Sequence, residues 1–183
     1  MKNIALLVID VQNSFFKTHY WQQDQFESFH PPMLRLIEQC MAHNVPIVQI
    51  LHAEPGNESS VFNPRTGLVE AMEFLPDCFA ACFTKQVHNA FTDTELAHWL
   101  KENGIQRLLI SGIRTEQCCE TTTRVGHDLG FDMTFLIDAT LTFDMQDHQG
   151  QTVTADEIKK RTRLVLEHRF ARVMTVDELK FTG

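Results

Sequence analysis

The segment Asn3–Val11 (NIALLVIDV) constrains the fold more than any other part of the chain, because its aliphatic run is almost unbroken. A strand with one wet face alternates apolar and polar residues. A continuous run belongs to a strand covered on both faces, as in a parallel sheet. Similar short runs recur at Val45–Leu51, Phe79–Thr84, Arg107–Ser111, Met133–Ile137 and, more weakly, Ala171–Thr175. Helical patterns lie between them. Met33, Leu36, Ile37, Cys40 and Met41 keep the i, i+3, i+4, i+7, i+8 rule after prolines at 31 and 32. Thr92–Glu95 reads as a capping box before Leu96, Trp99 and Leu100, with Gly104 closing the helix. Thr115 reads as the N-cap of a helix whose stripe is Cys118, Thr122, Val125 and Leu129, and Thr154–Glu157 as a capping box before the last helix. Strands alternating with helices predict βαβ units with right-handed crossovers, hence a three-layer α/β/α domain.

Two segments break this rhythm. Ser14–Phe29 reads as a long connection rich in aromatics, including Phe15, Phe16, Tyr20, Trp21, Phe26 and Phe29. Ala53–Gly67 is polar and holds Pro55, Gly56, Asn57 and Pro64. Long loops in compact domains are commonly functional, so the aromatic one reads as pocket wall (Phe16, Trp21) or subunit contact. With no repeat, low-complexity tract or linker, the expectation is one domain over 1–183.

Bulk properties narrow the function. The net charge of −8 argues against nucleic acid as a partner. The one basic cluster, Lys159, Lys160, Arg161 and Arg163, falls in a helix that also carries acids and reads as a solvated face. No apolar run approaches the ~20 residues of a membrane span. Met1–Val11 is interrupted by Asp10 and has no cleavage site, so it reads as a strand and not a signal peptide. Five cysteines without framework spacing suit a reducing compartment, with the cytoplasm as the expected address.

In parallel α/β sheets ligands bind beyond the carboxyl ends of the strands. Asp10 ends the first strand, Lys85 follows the third, and Cys118 falls in the first turn after the fourth. Each has a plain structural alternative: Asp10 as a turn cap, Lys85 as a solvated lysine, Cys118 as a buried inert thiol. Together they make a coherent acyl-transfer set. A helix N-terminus and a lysine favour a thiolate, and a carboxylate can take the thiol proton and return it to a leaving amine.

Three patches carry a wider resemblance: Asp10 with Gln12 in DVQN, Lys85 with Ala90 and Phe91 in KQVHNAF, and GIRTEQCCETTT from Gly112 to Thr123. Over nearly its whole length the chain resembles the isochorismatase-like cysteine hydrolases, which include nicotinamidases and N-carbamoylsarcosine amidases. The resemblance implies an Asp10–Lys85–Cys118 triad and a six-stranded parallel, Rossmann-like sheet. It also implies a cis peptide between Ile113 and Arg114, with the N–H groups of Arg114 and Cys118 forming an oxyanion hole. Gln12, Phe16, Trp21, Phe91 and Glu116 are the expected pocket residues, and Gln117 also flanks the helix start. The TEQCCETTT run is similar to a subgroup with streptothricin-lactam hydrolases. Cys119 departs from the small apolar residue common after the nucleophile and reads as packing.

Nicotinamidases hold zinc with an Asp-x-His and a further histidine. Here that region reads LHAEPGNES, which supplies His52 and Glu54 but no Asp-x-His. No metal and no cofactor are therefore expected. Cys78 and Cys82 near His88 read as core cysteines, and His148 with Asp144 and Asp147 could reach the pocket mouth. There is no GxGxxG or Walker sequence.

The expected function is thus hydrolysis of a C–N bond (amide, ureide or lactam) in a small molecule through a Cys118 thioester. Partners are a small-molecule substrate and other copies of the chain, as a homodimer or higher homo-oligomer. The rivals are vinyl-ether cleavage of the isochorismatase type, whose practitioners generally lack the cysteine, and a catalytically silent scaffold.

Overall fold

The computed structural model describes residues 3–181; Met1, Lys2, Thr182 and Gly183, the ends of the expected domain, lie outside the described residues. Its elements, in chain order, are β1 (Ile4–Ile9), α1 (Gln23–Ala42), β2 (Ile47–His52), β3 (Ala81–Lys85), α2 (Leu96–Glu102), β4 (Arg107–Ile113), α3 (Glu120–Asp128), β5 (Asp132–Leu141), β6 (Met145–Gln146), β7 (Thr152–Val153), α4 (Ala155–Leu166) and β8 (Arg172–Met174). Six strands form one parallel sheet in the order β3-β2-β1-β4-β5-β8, and β6 and β7 pair as a small antiparallel ribbon.

The pleat of β1 shows why its aliphatic run is continuous. Ile4, Leu6 and Val8 join a core with Phe29, Met33, Leu36, Ile37 and Cys40 of α1. Ala5, Leu7 and Ile9 join a second core with Leu96 and Leu100 of α2, Leu166 of α4 and the turn holding Cys118 and Cys119. Each large side chain so buried is worth about 1.5–3 kcal/mol against exposure. Helices on both sheet faces are the expected three-layer arrangement.

The Thr154 capping box forms: Thr154 Oγ1 accepts from the Glu157 N–H, and Glu157 Oε2 accepts from the Thr154 N–H. The one at Thr92 does not. Thr92 Oγ1 accepts from Asn89, and α2 starts only at Leu96. Thr115 is no N-cap either; its hydroxyl donates to Thr140 Oγ1 at 2.9 Å, and Thr115–Cys119 winds as a π-helical turn. The prolines at 31 and 32 lie inside α1, which begins at Gln23, so much of the supposed long loop is helix. Burial of Phe29, Pro32, Met33 and Leu36 on the sheet outweighs the missing proline N–H groups. Cys78 and Cys82 are exposed and not core residues: Cys82 lies on β3, an edge strand whose residues alternate into solvent, and Cys78 in the irregular segment before it.

Candidate active site

The sheet order reverses direction at β1, with β2 on one side and β4 on the other, which is where open parallel sheets build their binding crevice. The chain turns sharply out of both central strands. Asp10 follows β1 in the left-handed region at φ 54°, anchored by its N–H to Ile50 O at 2.8 Å. Opposite Ile9 stands Gly112, at φ 128°, where a Cβ would lie 1.9 Å from the Ile9 carbonyl oxygen. Only glycine fits there. The peptide between Ile113 and Arg114 is cis, as the resemblance implies. The Arg114 carbonyl then accepts from the N–H groups of Gln117 and Cys119, both at 3.2 Å.

These turns bring the three reactive side chains together. Lys85, the last residue of β3, donates from Nζ to Asp10 Oδ2 at 2.7 Å and to Cys118 Sγ at 3.5 Å. Asp10, Lys85 and Cys118 are 0%, 1% and 7% exposed. Burial and the neighbouring Asp10 carboxylate push the Cys118 thiol well up, and Lys85 only partly opposes them. Burial disfavours the Lys85 ammonium, yet Asp10 and Cys118 outweigh it and hold the amine above its ordinary range. The resting site is therefore an ion pair beside a neutral thiol. This corrects the expectation of a standing thiolate: the lysine is closer to the carboxylate than to the sulfur, so its charge is largely spent there.

A cavity of ≈ 130 Å³ opens onto Asp10 and Cys118. Phe15, Tyr20 and Phe62 supply its aromatic wall, and His52, Glu54, His88, Arg114 and Gln117 its polar one. None of the five expected pocket residues lines it. The Gln12 amide is fully buried and stitches the chain to β2, donating to His52 O at 3.0 Å and accepting from the His52 N–H at 2.7 Å. Phe16 packs edge-on against Trp21 at 4.7 Å, and Trp21 rests on Phe143. Phe91 stacks on Phe131 at 5.7 Å, within the core on the other sheet face. Glu116 lies behind Arg114, its Oε1 2.9 Å from the guanidinium. Of the aromatic segment, Phe15 and Tyr20 border the cavity. A 3₁₀ turn over Asn13–Lys17, unsignalled in the sequence, turns Phe15 inward and Phe16 outward. Asp144 and Asp147 cap neighbouring N–H groups, of Ala155 and of Gln149 and Gln151, and like His148 they do not line the cavity. Cys119 is packed in the core, as expected.

Nicotinamidase-like zinc would need a third donor beside His52 and Glu54. His52 Nε2 is already 3.3 Å from Glu54 Oε1, and among the described residues no group of three His, Cys, Asp or Glu could hold a metal ion. This donor set does not fit zinc. Burial and Lys85 press the His52 imidazole below its usual pKa, so it is neutral near pH 7.

The strand ends, the glycine against Ile9 and the buried trio place a candidate active site at the carboxyl edge of a parallel α/β sheet. The isochorismatase domain model matches residues 4–178, and the chain belongs to that family. It is 28% identical over 176 residues to the uncharacterized isochorismatase family protein YrdC of Bacillus subtilis, covering 96% of this chain and 93% of that one. Nicotinamidase 3 of Arabidopsis thaliana is 25% identical, with 98% and 88% covered. The crystal structure of a cysteine hydrolase from Pseudomonas syringae superposes with a TM-score of 0.87 over 96% of this chain and 90% of that one; at 22% identity this speaks for the fold.

Proposed function

We propose that the protein hydrolyses a C–N bond of a small amide, ureide or lactam through a Cys118 thioester. The observation that carries the reading is Lys85 Nζ bridging the Asp10 carboxylate and Cys118 Sγ, all three buried, with Asp10 and Cys118 bordering the cavity. Asp10 Oδ1 has no hydrogen-bond partner although it is buried, so an acceptor stands ready for a proton.

As Sγ bonds to the substrate carbonyl carbon, the thiol proton passes to Asp10. The carbonyl oxygen gains charge and is received by the N–H groups of Arg114 and Cys118. Lys85 offsets the charge on the reacting pair. Asp10 then gives its proton to the departing nitrogen, the C–N bond breaks, and a thioester remains. Water, deprotonated by Asp10, attacks that carbonyl; the C–S bond breaks and the proton returns to Cys118, which restores the starting state. The neutral resting thiol suits this cycle, since proton transfer and attack are coupled in one step.

The reading extends to the cytoplasm as compartment, supported by five free cysteines, and to assembly with other copies of the chain, supported by the Phe16–Trp21–Phe26 cluster with Phe16 40% exposed. Sedimentation of the purified protein tests the assembly, which a monomer at all concentrations would refute. For the chemistry, amides, ureides and lactams are screened for released amine. Cys118→Ala should abolish turnover of any that is cleaved, and full activity in that variant would remove Cys118 from the mechanism.

A further inference from the structure

Arg114 brings a side chain as well as an N–H to the site. It is 8% exposed and borders the same cavity as Asp10 and Cys118. Its guanidinium lies over the Tyr20 ring at 5.0 Å and near the Phe143 ring at 5.8 Å. Nη2 is 3.0 Å from Met145 Sδ, a weak acceptor, and 2.9 Å from Glu116 Oε1. Nε is buried with no hydrogen-bond partner, and both Glu116 oxygens lack an aligned hydrogen bond. The pair is thus a charge contact and not the bidentate fork that guanidinium and carboxylate prefer. A buried cation with five donors is costly when so few are used.

The other charges fix which side of the cavity can take an anion. Lys85 is committed to Asp10. Glu54 sits after β2, where Ser60, His52 and Asn57 hold its carboxyl below the usual range, so that wall repels anions. Arg114 follows β4, two strands away from β2, at about 4.8 Å per strand. The cavity's ≈ 130 Å³ falls below the ~300 Å³ at which sites for drug-sized ligands begin.

We infer that the substrate is a small amide or ureide acid whose free carboxylate docks on Arg114 while its C–N carbonyl meets Cys118. The inference rests on the hydrolase reading of this pocket and names its substrate class. Glu116 is a positioning residue: it holds the guanidinium at the cavity and competes for its charge.

The test uses succinamate and succinamide, which match in size and differ in charge, binding to the Cys118→Ala protein by calorimetry. Succinamate should bind more tightly. Arg114→Gln should shrink the preference about tenfold to a hundredfold, the range of one charge-assisted contact, and Arg114→Lys should keep part of it. Glu116→Gln should enlarge the preference, a direction that damage to the fold cannot produce. Equal affinity for the two probes, no binding of either, or a preference indifferent to Arg114 overturns the inference. The hydrolase reading is scored separately on the wild-type protein. An Arg114-dependent carboxylate preference without cleavage of any amide sustains the site and removes the chemistry; cleavage that favours succinamide sustains the chemistry and removes the site.

Discussion

Two buried carboxylates lie close to Cys118, and they are treated in opposite ways. Glu120, two residues along the chain, has both oxygens occupied. Arg124 donates twice to Oε1, at 2.9 and 3.1 Å, while Arg161 and the Thr162 hydroxyl donate to Oε2. Those contacts clamp the start of α3 to α4. Asp10 has one partner, on Oδ2, and a bare Oδ1, and it is held at a positive φ that few side chains adopt. A saturated carboxylate is architecture, since nothing can be added to it. A buried carboxylate with an acceptor left open has a desolvation cost that a structural role would have removed.

The largest effect that would break this contrast is at Asp10. Asp10→Asn keeps the shape and removes the proton acceptor, so turnover should fall on the order of 10² to 10⁴-fold. The Cys118 thiol should move the opposite way. Asp10's charge is among the forces holding its pKa up, so in the variant the alkylation midpoint of Cys118 drops and labelling at neutral pH accelerates. A site that alkylates faster while hydrolysing slower separates acid–base work from mere access to the sulfur. If labelling slows together with turnover, Asp10 is acting as a structural group like Glu120.

At Glu120 the expectation reverses. Glu120→Gln should cost about 1–3 kcal/mol of folding stability, read by denaturant titration, because a donor-rich pocket loses its anion. The figure stays modest because Arg161 and Arg124 are partly exposed and rehydrate. A variant as stable as the parent would mean that the clamp contributes nothing.

The same contrast shows what was legible beforehand. An unbroken aliphatic run on β1 can only be buried on both faces, so the sheet followed from sequence, and strand-end placement put Asp10, Lys85 and Cys118 at one edge. The saturation of Glu120 was invisible, because the partners of Oε2, Arg161 and Thr162, lie 41 and 42 residues away on another helix. The cavity wall was missed for a similar reason. Which of Phe15 and Phe16 faces inward depends on one 3₁₀ turn, and periodicity says nothing about a single turn. The charge state of Cys118 hinged on whether Lys85 sits nearer the sulfur or the carboxylate, a matter of 3.5 Å against 2.7 Å.

A smaller effect is readable in pH. His52 has its folded pKa pressed below 6.5, so its contribution to stability is full above that value and is lost as the pH falls through the depressed one. Cys118 is raised above 9.0; its contribution is full below 9.0 and is lost as the pH rises beyond it. Subtracting the stability curve of His52→Gln from that of the parent should leave an acid limb alone, and subtracting that of Cys118→Ala an alkaline limb alone. A Cys118 difference curve that instead bends below pH 9.0 would restore the standing thiolate.

The smallest effect sharpens the argument from saturation. Thr162 is fully buried, and its hydroxyl gives Glu120 Oε2 a bond of 3.1 Å that Arg161 also serves. Thr162→Val preserves shape and removes only that donor, so the cost should be about 1 kcal/mol, the ordinary net worth of one hydrogen bond. If each Glu120 contact counts separately, Glu120→Gln and Thr162→Val add when combined. If the carboxylate works as a filled unit, the double variant costs little more than Glu120→Gln alone, since the hydroxyl has lost the anion it served. We expect the second result, because neighbouring donors to one buried carboxylate share a single desolvation debt.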